Sequence, residues 1–119
     1  MGKYHDDLSD KENIITVIDA CDTVRSYIEG MTKEEFMSDS KTRDACLAQW
    51  LVIGERVAKI SESLKKRHPE VTWALIVGFK NRSSHSYGTR HFDTSMLWDT
   101  VSNDTPAIKD ALSTILKEL

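Results

Sequence analysis

The sequence predicts an all-α fold, an antiparallel up-and-down helical bundle with short connections. Three observations carry that expectation. Apolar residues return every three or four positions in successive segments. Two Ser/Thr-x-x-Glu signatures open helices. No stretch alternates apolar and polar residues as a half-buried strand does.

Ser9-Asp10-Lys11-Glu12 reads as a capping box, with Ser9 at the N-cap and Glu12 reaching back to its amide. Ile14, Val17, Ile18, Cys21, Val24 and Ile28 then form one stripe of an amphipathic helix, which Gly30 ends. Thr32-Lys33-Glu34-Glu35 is a second capping box, opening a short helix around Phe36. The polar Ser38-Asp39-Ser40 breaks that turn and supplies the next N-cap.

A long helix is expected from about Lys41 to Lys66, with Ala45, Ala48, Leu51, Val52, Val57, Ala58, Ile60 and Leu64 at helical period. Gly54 inside it costs about 1 kcal/mol relative to alanine, which points to a packing contact where neighbouring backbone comes close. Glu55 beside it reads as solvated in preference to functional.

His68-Pro69 stops this helix, because the residue before proline avoids the α region. A third apolar helix starts near Thr72 with Trp73, Leu75, Ile76 and Phe79, and Gly88 marks a turn. Asp93 or Thr94 caps a helix holding Met96, Leu97 and Val101. Thr105-Pro106 reads as an N-cap with proline at the first helical position, and Ile108, Ala111, Leu112 and Ile115 continue to the end.

The 119 residues suffice for one domain, 1–119, with one core. A mean hydropathy of −0.42 is that of a soluble globular chain. No apolar window approaches the roughly 20 residues of a membrane helix, so no membrane is expected. Met1 to Asp7 lacks the hydrophobic region of a signal peptide, and Asp6 stands where myristoylation after Gly2 wants Ser or Thr. Cys21 and Cys46 fall in helical apolar patterns and read as buried free thiols, so a reducing, cytoplasmic setting is expected.

The net charge of −3 is unevenly spread. Arg56 to His91 holds eight cations against Glu62 and Glu70, a net +6, which leaves −9 for the remainder. Such a half can attract a polyanion locally. The basic run Lys65-Lys66-Arg67 serves equally well to complement a helix C-terminus.

Chemistry concentrates in Phe79-Lys80-Asn81-Arg82-Ser83-Ser84-His85-Ser86-Tyr87. On one helix, Leu75, Ile76 and Phe79 define the core face, while Asn81, Arg82 and His85 share an uncovered one. Lys80 lies about 140° from His85 and joins it only if the helix breaks at Ser83-Ser84 or a second copy supplies the missing half. The set suits metal-free RNA cleavage. A histidine can take a proton from a 2′-hydroxyl or give one to the leaving oxygen, and Lys80 or Arg82 can stabilise charge on the phosphate. Taken alone the spacing is a weak signal, since a histidine between cations on a helix is more often solvated or capping. His85, His91 and Asp93 match no metal-ligand spacing, and no phosphate loop or nucleophilic triad stands out, so neither metal nor cofactor is expected.

Nearly the whole chain resembles the HepT-like ribonucleases, a branch of the HEPN domains. The resemblance is carried by Glu35-Phe36, Lys41-Thr42-Arg43-Asp44-Ala45, Ile53-Gly54-Glu55, Arg67-His68-Pro69-Glu70-Val71-Thr72-Trp73 and Val77-Gly78-Phe79. It continues through His85-Ser86-Tyr87 and Leu97-Trp98-Asp99 to Asn103-Asp104-Thr105-Pro106. The family signature is arginine, four residues, histidine, one residue, tyrosine. His85 and Tyr87 match it, while Lys80 replaces the arginine, keeping charge but losing the planar fork that grips phosphate.

The resemblance implies a HEPN-like homodimer with an RNA-cleaving cleft where two motifs meet. It implies a toxin of a toxin–antitoxin pair whose partner, an MntA-like nucleotidyltransferase, transfers AMP from ATP to Tyr87 and so silences it. Two readings follow. One is a ribonuclease using His85 and Lys80, with Asn81 and Arg82 supporting RNA. The other is a catalytically weak module that engages the nucleotidyltransferase or binds nucleotide, which the lysine favours more than a full match would.

Overall fold

The computed structural model describes residues 8–119, and the N-terminal stretch read above for targeting signals lies outside them. Among the described residues seven α-helices follow one another: α1 (Asp10–Ile28), α2 (Lys33–Met37), α3 (Ser40–Ala58), α4 (Glu62–Arg67), α5 (Trp73–Ser86), α6 (Thr94–Asp99) and α7 (Thr105–Leu116). A π-helical turn, Thr100–Asp104, joins α6 to α7. No strand occurs among the described residues, and the helices pack as an all-α bundle. α1 lies against α3 and α7, and α3 also packs against α5.

The helix starts are local chemistry. Ser9 and Glu12 exchange their bonds at 3.1 and 3.0 Å, and Thr32 and Glu35 do the same at 3.1 and 2.8 Å. Asp39 opens α3 by accepting from the Thr42 amide and hydroxyl, bonds that hold its carboxyl below the usual range. Asp93 opens α6 through the Met96 amide. Pro69 ends α4 at His68 as expected, and the Trp73 indole pins that turn by donating to the His68 carbonyl at 2.9 Å.

Four expectations are corrected. The helix expected from Lys41 to Lys66 is two helices, broken at Lys59–Ser61. Ser61 accepts from the Leu64 amide, while its own amide and hydroxyl donate to Asp10 at 2.8 and 2.6 Å. Those bonds to α1 replace the helical ladder. The buried face of α3 is also different, comprising Cys46, Leu47, Trp50, Ile53, Gly54 and Val57, while Ala48, Val52 and Ala58 are exposed. Trp50 anchors that face, edge-on to Phe79 at 5.2 Å and donating to the Thr105 hydroxyl at 3.0 Å.

Thr105 is accordingly no N-cap. It is fully buried within a continuous helical run, its hydroxyl donating to the Thr100 carbonyl. Pro106 has no amide hydrogen and crowds the carbonyl four residues back, and the wider π turn before it relieves that crowding. Finally, Leu75 is 66 % exposed, so the core face of α5 is Trp73, Ile76, Phe79 and Ser83.

No helix among the described residues is long and apolar enough to cross a membrane. Cys21 and Cys46 are buried and free. Burial pushes their thiols up to about 12 and about 11, so neither supplies thiolate at neutral pH.

Candidate active site

α5 is the helix on which the chemistry-bearing stretch lies, and its two flanks are built differently. The flank facing α3 carries Lys80. A Cβ on Gly54 would stand 2.6 Å from Lys80 Cγ and closer still to Lys80 Cβ, which is fixed to the α5 backbone. Gly54 thus makes room for the Lys80 stem to cross α3, so what comes close is a side-chain stem and not the neighbouring backbone that the sequence predicts. Having crossed, the ammonium lies 3.6 Å from the Glu55 carboxylate. Glu55 was expected to be solvated. It is instead the counter-ion of Lys80, half-exposed itself and holding a side chain that is mostly withdrawn from water.

Tyr87 leaves the end of α5 toward α3 as well. Its amide donates to the Ser83 carbonyl at 3.0 Å, and its ring meets Phe92 edge-on at 4.8 Å. The phenol donates to Asp44 in the first turns of α3. Gly88 follows with φ +85°, a left-handed conformation that lets the chain turn away immediately. A cleft of about 420 Å³ opens beside the phenol, walled by Arg43, Asp44, Gly88 and Thr89.

The other flank is open. Asn81, Arg82 and His85 are all exposed. Arg82 lies back along the helix over Gly78, where an added Cβ would sit 3.2 Å from its Nη1. The side chains of Asn81, Arg82 and His85 form no hydrogen bond or ion pair with other described residues. His85 stands in the last turn of α5. Asn81, Arg82 and His85 thus come together as the helical spacing predicts, and Lys80 stays on the other side. α5 does not break at Ser83-Ser84, so one chain does not unite Lys80 with His85.

Two residues with contacts to this site escaped sequence reasoning, Glu55 as a partner of Lys80 and Asp44 as a partner of Tyr87. The signal available was their presence in the short blocks that carry the family resemblance, beside Gly54 and Arg43. The basic run Lys65-Lys66-Arg67 occupies the last turn of α4, where cations complement a helix C-terminus. No group of three or more His, Cys, Asp or Glu among the described residues is placed to hold a metal ion.

The chain is similar to known proteins along most of its length. A family model described as Ribonuclease HepT-like matches residues 17–115. A protein of Thermococcus cleftensis named "Probable ribonuclease HepT" is 27 % identical over 109 residues, covering 92 % of this chain and 97 % of its own. A protein of Methanocaldococcus jannaschii named a "Putative RNase" is 28 % identical, over 91 % of this chain and 82 % of its own. Another so named, from Caldanaerobacter subterraneus, is 22 % identical over 86 % and 89 %. No solved structure matches. With an all-helical bundle, the histidine and tyrosine of the signature at the end of one helix, and a family match over residues 17–115, the chain belongs to the HepT-like ribonuclease family.

Proposed function

We propose that this protein is a metal-independent endoribonuclease that cleaves RNA in a cleft completed by a second copy of itself. The observation that carries the reading is the division of α5, with an exposed, unpartnered His85 on one flank and Lys80 held on the other. His85 takes the proton of a 2′-hydroxyl as it attacks the adjacent phosphorus, or gives one to the departing 5′-oxygen. Two histidines, one from each copy, can divide these tasks. Lys80 and Arg82 offset the charge that builds on the phosphate, and Asn81 hydrogen-bonds the backbone.

The need for a second copy has support beyond the motif. Leu75 is the most exposed large apolar residue among those described, and Gly78, Arg82 and His85 fall within about 80° of it around the helix. Burying Leu75 against its symmetry mate brings two copies of the Arg82–His85 face together. Light scattering checks this, and a protein that remains monomeric at micromolar concentration excludes it.

Within the same reading, the protein is a toxin silenced by AMP transfer from ATP to Tyr87 by an MntA-like nucleotidyltransferase, and it works in the cytoplasm. The open cleft beside the phenol supports a modifiable Tyr87. An added phosphate two residues from His85 competes electrostatically with RNA. Purified protein incubated with RNA, with and without Mg²⁺ and with chelator, tests the core of the proposal. Cleavage that survives chelation and disappears in His85→Ala supports it, and no cleavage under any condition refutes it.

A second reading is favoured by the Lys80–Glu55 pair. An ammonium already facing a carboxylate at 3.6 Å has less charge to offer a phosphate. On this reading the protein is a weakly catalytic module that engages the nucleotidyltransferase or nucleotide. Cleavage assays with Glu55→Gln separate the two: a rise in activity means the site is catalytic and restrained.

A further inference from the structure

Behind the open flank of α5, between its C-terminal half and the turn leading to α6, lies a cavity of about 170 Å³. Phe79, Phe92 and Met96 line it with apolar surface, and Arg82 and His91 stand on it as polar groups. Ser83 opens into it from α5. Ser83 is only 2 % exposed and its hydroxyl makes no hydrogen bond to another described residue, yet no fully buried side-chain polar atom among the described residues lacks a partner, so the hydroxyl keeps its contact with water through the cavity. Its neighbours differ. Ser86 donates to the Arg82 carbonyl at 2.9 Å, and Asp93 is occupied by the Met96 amide.

The chemistry of the cavity selects its occupant. Aromatic rings offer stacking surface to a flat heterocycle. A serine hydroxyl, donor and acceptor at once, matches the mixed edge of a nucleobase. The volume is well below the roughly 300–1,000 Å³ of sites for drug-sized molecules, which suits one base and excludes a stacked pair. Arg82 ties the cavity to the chemistry, since it lines the cavity and shares a flank with His85, three positions on. A base seated here has its own phosphate near both.

We propose that this cavity binds one nucleobase of the RNA next to the cleaved phosphate, with Ser83 reading the edge of that base. The identity of the ligand as RNA rests on the ribonuclease reading, whereas the cavity and its serine hydroxyl do not. Cleavage is therefore base-selective at one position relative to the broken bond.

Two measurements on the intact protein test this. The first is amide NMR during titration with the four 5′-nucleoside monophosphates and, separately, inorganic phosphate. Nucleotides are expected to shift Ser83, Phe92 and Met96, with one base outdoing the others, while phosphate alone leaves Ser83 unmoved. If no nucleotide shifts Ser83 or Phe92, or if phosphate shifts them equally, the proposal is overturned even where RNA is cleaved. The second is sequencing of cleavage sites in a randomised RNA pool. Wild type is expected to show a base preference at one position, and Ser83→Ala to reduce it about tenfold, the effect of one lost hydrogen bond. A folded Ser83→Ala with undiminished preference refutes the role of the hydroxyl. Nucleotide shifts at Ser83 without any RNA cleavage uphold the cavity as a base site and reject the ribonuclease reading.

Discussion

The two flanks of α5 carry groups of similar chemistry under opposite constraints. On the inner flank, Lys80 is threaded over Gly54 and paired with Glu55, and Tyr87 donates to Asp44, so both are tied to α3. On the outer flank, Asn81, Arg82 and His85 are exposed and make no side-chain bond among the described residues. Groups fixed by folding can be positioned accurately but begin neutralised. Groups left to solvent keep their reactivity and need a ligand or a partner to order them. A cleft built from both needs the fixed group from one chain and the open group from another, or a release of the fixed group.

The largest effect expected is on the open flank. His85→Ala should lower RNA cleavage by about 10²–10⁴-fold, the usual contribution of general acid–base catalysis, while leaving the urea midpoint unchanged. A coupled loss of stability would mean that His85 is as structural as the inner residues, and the contrast between the flanks would collapse.

Next comes Gly54→Val on the inner flank. The added side chain meets the Lys80 stem at distances no packed atoms tolerate, and overpacking of this kind costs about 1–3 kcal/mol. Urea unfolding should show a lower midpoint with an unchanged slope. Activity should fall too, since Lys80 is displaced. Wild-type stability would mean that α3 and α5 slide freely and that Lys80 is not fixed.

Lys80 itself sharpens the comparison. From charge alone, Lys80→Ala should leave folding untouched. The stem packed over Gly54 changes that expectation, because truncation removes buried methylenes at about 0.8 kcal/mol each when fully buried. Both activity and stability should drop modestly in Lys80→Ala. Lys80→Arg should raise cleavage several-fold by restoring a bidentate grip on phosphate, and Glu55→Gln should act in the same direction by freeing the charge. If neither raises activity while His85→Ala is also silent, the binding-module reading replaces the catalytic one.

How much of this was legible in the sequence follows from how local each feature is. Both capping boxes and the Asp39 and Asp93 caps depend on residues within three positions, and all were readable. Asn81, Arg82 and His85 sharing a flank follows from helical period alone. The break at Ser61 was hidden because it depends on Asp10, distant in sequence and brought near only by the packing of α1. Trp50 does not stand out among the smaller alanines nearby, although its indole holds α3 to Thr105 and so decides which face is buried. Gly54 announced a close approach but not that a side-chain stem makes it, and Glu55 and Asp44 acquire partners only once α3 docks on α5.

Tyr87 gives the smallest expected effect and the finest test of the inner flank. Tyr87→Phe removes the hydroxyl and keeps the ring against Phe92, so it deletes one bond to a solvent-accessible Asp44. A hydrogen bond of this kind contributes about 0.5–1.5 kcal/mol, and the exposed setting puts the loss near the lower end, a fall in Tm of a few degrees. Asp44→Asn keeps a carbonyl acceptor and should cost less still. The two variants should then part company in a second measurement, intact mass after incubation with the cognate nucleotidyltransferase and ATP. Wild type and Asp44→Asn should gain AMP, because each retains the phenol oxygen that attacks phosphorus, and Tyr87→Phe should not. AMP on the Phe variant assigns the modification to another residue. AMP on wild type together with an unchanged Tm in Tyr87→Phe would show that the phenol is held by nothing, making Tyr87 part of the open flank after all.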